Sequence, residues 1–374
     1  MANIEVSAPR KRHRKAAKSL FLQQADKIGL IMFTRRNLLL SVPALAASRA
    51  WAQSAGPIRL RSFNHVTIRV SDFKRSLEFY QTLLGMPVQG HQGATVSLRI
   101  GTGPQHIGMS AAAPGERIGF HHFCMTADGF GVDRVLKMLA DHGVTPGGPS
   151  AAALGPLQSF VRVRSEAEGG GKEGTPELYF TDQDGILVQL QDASYCGGSG
   201  PLGNICLAKP EAPPRKGLLA VRDMSHVTLN VSDKARSIAF YQGLFQMPVQ
   251  AHQGPHTPVF GIGRGPQFLA LSAGGANAGA PRKMGIGHAC MLMDGFHVDK
   301  VLKALAEVGV KPRGDASGAV GPMTSYVRMR GEDAGGAKGG TPELYFSDPD
   351  GILYQLQDTT YCGGAGYLGN VCRG

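Results

Sequence analysis

Two histidines, a glutamate, a tyrosine and a glutamine recur in the same order at two places in the chain, and strand alternation can bring each set to one face. Read as a strand, His65–Val70 puts His65, Thr67 and Arg69 on one side and Val66, Ile68 and Val70 on the other. The apolar side can pack on a helix, so His65 faces a cavity. In the segment 119–126, His122, Cys124 and Thr126 share a face. In the two closing strands, Glu177 goes with Tyr179, and Leu187 with Gln189 and Gln191, against apolar alternates. The second set is His226, His288, Glu343, Tyr345 and Gln355. Imidazole nitrogens beside amide and carboxylate oxygens are donor types that suit a divalent metal ion.

These residues sit in a unit written twice. FNHVTIRVSDFKRSLEFYQTLLGMPVQGHQG (63–93) matches MSHVTLNVSDKARSIAFYQGLFQMPVQAHQG (224–254), and GTPELYFTDQDGILVQLQDASYCGGSGPLGNIC (174–206) matches GTPELYFSDPDGILYQLQDTTYCGGAGYLGNVC (340–372). Each unit repeats strand, helix and three strands, with Asp72 capping a helix that runs to Leu84 and closes at Gly85. Further strands fall near 94–100 and 105–110. A second helix spans about 130–143, and strands follow near 158–164, 176–181 and 186–191. The expected class is α+β, with four βαβββ modules forming two curved-sheet troughs. We divide the chain into a leader (1–52), a first domain (58–207), a linker (208–219) and a second domain (220–374).

The paired module, with His in its first strand, the phrase SDFKRSLEFYQTLLGMPV and the closing DQDGILVQL, resembles the vicinal-oxygen-chelate superfamily of glyoxalases, bleomycin-resistance proteins and extradiol dioxygenases. The resemblance covers nearly all of 60–206 and 220–372. It implies a trough with a divalent metal at its floor, Fe(II) or Mn(II) first and Zn or Ni next. Extradiol-type members hold the metal on two His and one Glu; the matching positions here are His65, His122 and Gln189, then His226, His288 and Gln355. Both copies depart at the carboxylate, and a neutral amide oxygen binds a divalent ion less tightly. Glu177 and Glu343, one strand over, are the candidate replacements. Tyr179 and Tyr345 stand where ring-cleaving members carry a Tyr that hydrogen-bonds substrate or oxygen. His91 or His252 is the candidate proton shuttle, although His91, His106, His252 and His297 read first as ordinary core or surface histidines. Arg162, Arg164, Arg328 and Arg330 could meet an acidic substrate group or line a solvated edge.

The chain of 374 residues carries a net charge of +11, of which residues 1–52 hold +8. The +3 left on the body gives no reason to expect nucleic acid as a partner. Gly at 52 of 374 predicts many turns and argues against a helical bundle. Thr34-Arg35-Arg36 before LLLSVPALAA, then Ala50-Trp51-Ala52, resembles a twin-arginine secretion signal. It implies a start at Met32, a mature chain from Gln53, recognition by the twin-arginine export machinery, and a periplasmic or secreted product without a stable membrane anchor. The matched pairs Cys196/Cys206 and Cys362/Cys372 are then expected to form local disulfides; Cys124 and Cys290, two residues after His122 and His288, read first as buried small residues, with a thiolate ligand or reactive thiol as the alternative. The expected function is an exported metal-dependent enzyme, most like an extradiol dioxygenase acting on a catechol-like or other small oxygenated compound. A glyoxalase-like isomerase or lyase is the alternative, and a non-catalytic small-molecule binding protein the third.

Overall fold

The Asp72 carboxylate accepts the Arg75 N–H at 3.0 Å, and the chain leaves that helix through Gly85 at φ 63°. Both ends are thus set locally, one by a capping acceptor and one by a residue at ease in the left-handed region. The computed structural model describes residues 58–372, apart from 274, 275, 278, 279, 282 and 314–319. The leader and signal segment at 1–52 lie outside the described residues.

In the first copy the order is β1 (Leu60–Val70), α1 (Phe73–Leu84), β2 (Val88–Gln92), β3 (Thr95–Arg99), β4 (His106–Ala111), β5 (Gly119–Ala127), α2 (Val132–Asp141), β6 (Thr145–Pro146), β7 (Gln158–Arg164), β8 (Thr175–Thr181) and β9 (Leu187–Asp192). The second copy repeats it as β10 (Val221–Val231), α3 (Lys234–Phe245), β11 (Val249–His252), β12 (Pro258–Gly261), β13 (Phe268–Ala273), the short ribbon β14 (Ala276–Asn277) and β15 (Ala280–Pro281), β16 (Gly285–Met293), α4 (Val298–Glu307), β17 (Lys311–Pro312), β18 (Thr324–Arg330), β19 (Thr341–Ser347) and β20 (Leu353–Asp358). The expected βαβββ order is present four times, with the two-residue β6 and β17 added. Strand β2, whose register skips Gln89, has no counterpart in the sequence reading.

Each copy is one nine-stranded mixed sheet, β2-β3-β4-β1-β5-β9-β8-β7-β6 in the first and its equivalent in the second. The first strand of each module pairs parallel with its last, and the two first strands, β1 and β5, pair antiparallel at the centre. Val66, Ile68 and Val70 join the apolar core, as the parity argument requires. Among the described residues no helix is long and apolar enough to cross a membrane. Cys196–Cys206 and Cys362–Cys372 are disulfides, and Cys124 and Cys290 are free and buried.

The recurring Tyr and Asp-x-Asp-Gly motifs meet across the copies, which pack as one compact unit. The Tyr80 hydroxyl donates to Asp348 at 2.8 Å, and the Tyr241 hydroxyl to Asp182 at 3.0 Å. Beside them, Arg75 donates to Asp350 at 2.6 Å and Arg236 to Asp184 at 3.0 Å. Burial pushes Asp182 and Asp348 up to about 6, against the pull of backbone N–H groups and the tyrosines. The folded chain therefore keeps protons that unfolded aspartates, titrating near 4, have released, and stability falls as pH rises from about 4 to about 6. Two pH units correspond to roughly 3 kcal/mol per group. Asp182→Asn, which keeps an acceptor for Asp184 and Ile186, is expected to remove one such slope. Urea unfolding at pH 4.5 and pH 7 checks it, and an equal wild-type-to-variant difference at both pH values would sink the idea.

Candidate functional site

One row of residues crosses the first sheet. His106 on β4 pairs with His65 on β1, His65 with Cys124 on β5, Cys124 with Gln189 on β9, Gln189 with Tyr179 on β8, and Tyr179 with Phe160 on β7. Side chains along such a row share a face. His65 and Gln189 reach each other over the small Cys124 between them, and His122 joins from two residues along β5. His65 Nε2 lies 3.2 Å from His122 Nε2 and 3.1 Å from Gln189 Oε1, and His122 Nε2 is 2.9 Å from Gln189 Oε1. All three residues are buried.

Neighbouring groups orient these rings. Asn64 Nδ2 donates to the Tyr195 carbonyl at 2.7 Å, which turns Asn64 Oδ1 toward His65 Nδ1, also at 2.7 Å. His65 therefore carries its proton on Nδ1, leaving Nε2 a bare acceptor. Burial, then the neighbouring His106 and His122, hold His65 well below the ordinary imidazole range. Burial, then His121 and Arg69, do the same for His122. Both rings are neutral at pH 7, the form that binds metals.

The trio fits a divalent ion. Donors about 2.1 Å from a metal and at right angles to one another would stand roughly 3.0 Å apart, and these stand at 2.9–3.2 Å. Gln189 Nε2, by contrast, is buried with no hydrogen-bond partner, so the amide is turned to offer its oxygen. Among the described residues no group of three or more His, Cys, Asp or Glu is arranged to hold a metal. Any ion here depends on the glutamine oxygen as third donor.

The trio forms part of the wall of a cavity of about 430 Å³, which Thr67, Arg69, His121, Phe160, Arg162 and Tyr179 also line. Tyr179 meets His122 edge-on at 5.3 Å and donates to Glu177 Oε2 at 3.3 Å. Burial, then Glu177, raises Tyr179 well above the phenol range, so its hydroxyl stays protonated.

Not every candidate from the sequence meets the trio. Glu177 accepts from Arg164 Nε at 2.9 Å and from the Tyr195 hydroxyl at 2.9 Å, with Arg162 at 3.6 Å. Glu343 is likewise bound by Arg330 at 2.7 Å and Tyr361 at 3.1 Å. Arg164 and Arg330 are thus buried charge partners rather than edge residues. His91 is exposed and pairs with Glu211 at 2.8 Å, outside the cavity lining, and His252 is exposed on β11. Burial raises the Cys124 thiol well above its usual range, which keeps it a thiol.

Three further residues border the trio: His106, which the sequence reading took for an ordinary core or surface histidine, and Tyr195 and His121, which it did not name. His106 stacks on His65 at 4.4 Å, Tyr195 stacks on it at 5.7 Å, and His121 touches His122. Tyr195 adjoins the disulfide, and that neighbourhood was the available signal. In the second copy the row reads Phe268, His226, Cys290, Gln355, Tyr345 and Tyr326. His226 Nε2 and His288 Nε2 are again 3.2 Å apart, with Gln355 in hydrogen-bonding reach of His226.

The model of the Glyoxalase/Bleomycin resistance protein/Dioxygenase superfamily matches residues 62–190 and 223–356. The chain belongs to this superfamily. A comparison with curated proteins gives no match. Among solved structures the chain is similar to a catechol 2,3-dioxygenase (TM-score 0.51, 14% identity, 83% of this chain and 89% of that one). It is also similar to homoprotocatechuate 2,3-dioxygenase from Arthrobacter globiformis (TM-score 0.53, 15% identity, 81% of each chain). A third is an Mn(II)-bound glyoxalase from Novosphingobium aromaticivorans (TM-score 0.50, 16% identity, 80% of this chain and 82% of that one). At these identities the likeness speaks for the fold.

Proposed function

We propose that the chain is an exported, divalent-metal-dependent enzyme of dioxygenase type that acts on a catechol-like or other small oxygenated compound. The observation that carries this reading is the convergence of His65 Nε2, His122 Nε2 and Gln189 Oε1 within 3.2 Å beside a cavity of small-molecule size. His65, His122 and Gln189 would hold a divalent ion, which when bound would supply Lewis-acid polarisation to an oxygenated substrate. Asn64 keeps His65 in the coordinating tautomer. Tyr179 keeps a protonated hydroxyl at the cavity wall, and Arg69 and Arg162 bring guanidinium donors to substrate oxygens. Two disulfides favour an oxidising compartment and so support export. With it we retain a leader at 1–52 and domains at 58–207 and 220–374.

The test is metal content of protein purified without added metal, for wild type and for the His65→Ala/His226→Ala variant, followed by oxygen uptake with a series of catechols. Near-stoichiometric Fe or Mn that falls to trace in the variant, with uptake, is the expected result. Zn or Ni without uptake would replace this reading by a glyoxalase-like isomerase or lyase. Metal-free protein that binds small aromatics would make the trough a receptor. One feature favours that second reading: the Gln189 amide turned over would donate Nε2 to both imidazoles, satisfying the trio without an ion.

A further inference from the structure

We infer that the two copies have diverged, so that the first alone binds the metal ion, and that His121 is the positioning residue that makes His122 a ligand. The inference rests on the metal reading above. It starts from a break in the sheet. Between β1 and β5 the register passes from Thr67–His122 directly to Ile68–Phe120, leaving His121 unpaired. Such a bulge suspends strict alternation, so two consecutive histidines can face the same cavity. Both do.

The contact this creates is specific. His121 Nδ1 lies 2.7 Å from His122 Nδ1, and a hydrogen bond between them needs one proton. When His122 supplies it, His122 Nε2 is left bare toward His65 and Gln189. His121 then does for His122 what Asn64 does for His65. A hydrogen-bonded neighbour that fixes the ring and its tautomer is what a ligating histidine requires.

The second copy keeps the backbone device with a glycine at the bulge, so whatever orients His288 is not an imidazole from that position. Its register skips in the same place, between Thr228–His288 and Leu229–Ile286, but the unpaired residue is Gly287. There Thr228 Oγ1 lies 3.2 Å from His288 Nε2, so a hydroxyl competes for the atom that would ligate. In the first copy a Cβ on Gly108 would come within 2.7 Å of Thr67 Oγ1, and the second copy carries Ala270 at that position. Asn230 stands in place of Arg69, and Phe268 in place of His106. Within each copy these changes all border the candidate ligands.

The test titrates metal-stripped full-length protein with Mn(II), followed by calorimetry and by the electron paramagnetic resonance of the bound ion. One ion per chain is expected, retained in His288→Ala and lost in His122→Ala. His121→Gly, which copies the residue the second copy tolerates at the same bulge, is expected to weaken Mn(II) binding by roughly 10–100-fold. His121→Asn, whose side-chain oxygen can accept the His122 Nδ1 proton, is expected to restore most of that loss, with thermal midpoints unchanged in both variants. Two ions per chain, or loss of binding in His288→Ala, would overturn the asymmetry. Unchanged affinity in His121→Gly, or no rescue by His121→Asn, would overturn the positioning role and leave the metal reading standing. A wild type that takes up no Mn(II) at all would bring down the metal reading and this inference with it.

Discussion

Arg164→Ala is expected to destabilise the protein by about 3–5 kcal/mol, because it takes the nearer of two cations away from the fully buried Glu177 carboxylate. Arg164 is wholly inside, with Nε on Glu177 at 2.9 Å, Nη1 on the Gly169 carbonyl at 2.6 Å and Nη2 on the Gly198 carbonyl at 2.7 Å. It therefore ties β7 both to the turn after it and to the disulfide loop. Removing the guanidinium leaves the Gly169 and Gly198 carbonyls without this donor and leaves the carboxylate with only the more distant Arg162, at 3.6 Å, as a cation. The charge is the larger part of the cost, and adding Glu177→Gln to Arg164→Ala should recover much of it, since the amide oxygen still accepts from one of the two tyrosine hydroxyls and the amide NH2 can donate to the other. Urea unfolding of the two single variants and the double gives the coupling directly. A loss below about 1 kcal/mol for Arg164→Ala would show that the pair is solvated in solution. The same commitment has a functional corollary: Glu177→Gln alone should leave divalent-metal affinity nearly unchanged, because the carboxylate already serves two arginines and two tyrosines.

Gln189→Glu is expected to tighten divalent-metal binding by about 10–100-fold, because it places a full negative charge among two neutral imidazoles without changing shape. The amide nitrogen it replaces has no hydrogen-bond partner to lose. The metal-free variant must instead bury a carboxylate, and it meets that cost by protonating either itself or a neighbouring imidazole. Its thermal midpoint should therefore fall below that of wild type without metal and rise above it with saturating Mn(II). Calorimetric titration and melts with and without metal read both effects. Binding no tighter than wild type would mean that residue 189 is not a ligand position.

Much of this site was legible because its causes are local or periodic. Alternation alone put His65, Thr67 and Arg69 on the cavity face, and Val66, Ile68 and Val70 in the core. Asp72 and Gly85 bounded a helix through hydrogen bonds and a φ value that each residue carries with it. The recurrence of His, Glu, Tyr and Gln in two copies needed no coordinates to be seen.

Other features rest on pairings that no single segment contains. His121 enters the cavity only because the β1–β5 ladder slips by one residue, and slippage is a property of two strands together. Glu177 and Gln189 are both oxygen donors on the trough face, yet one is held by Arg164 and the other meets the histidines. That choice belongs to the sheet's curvature and to the loop that follows Cys196. Tyr80 and Asp348 lie 268 residues apart and meet only when the copies dock. The chain by itself determined the modules, their repetition and the face each residue takes, since these follow from spacing and local geometry. Only the tertiary structure decided which donors touch, because contact between strands far apart in sequence is set by register and packing.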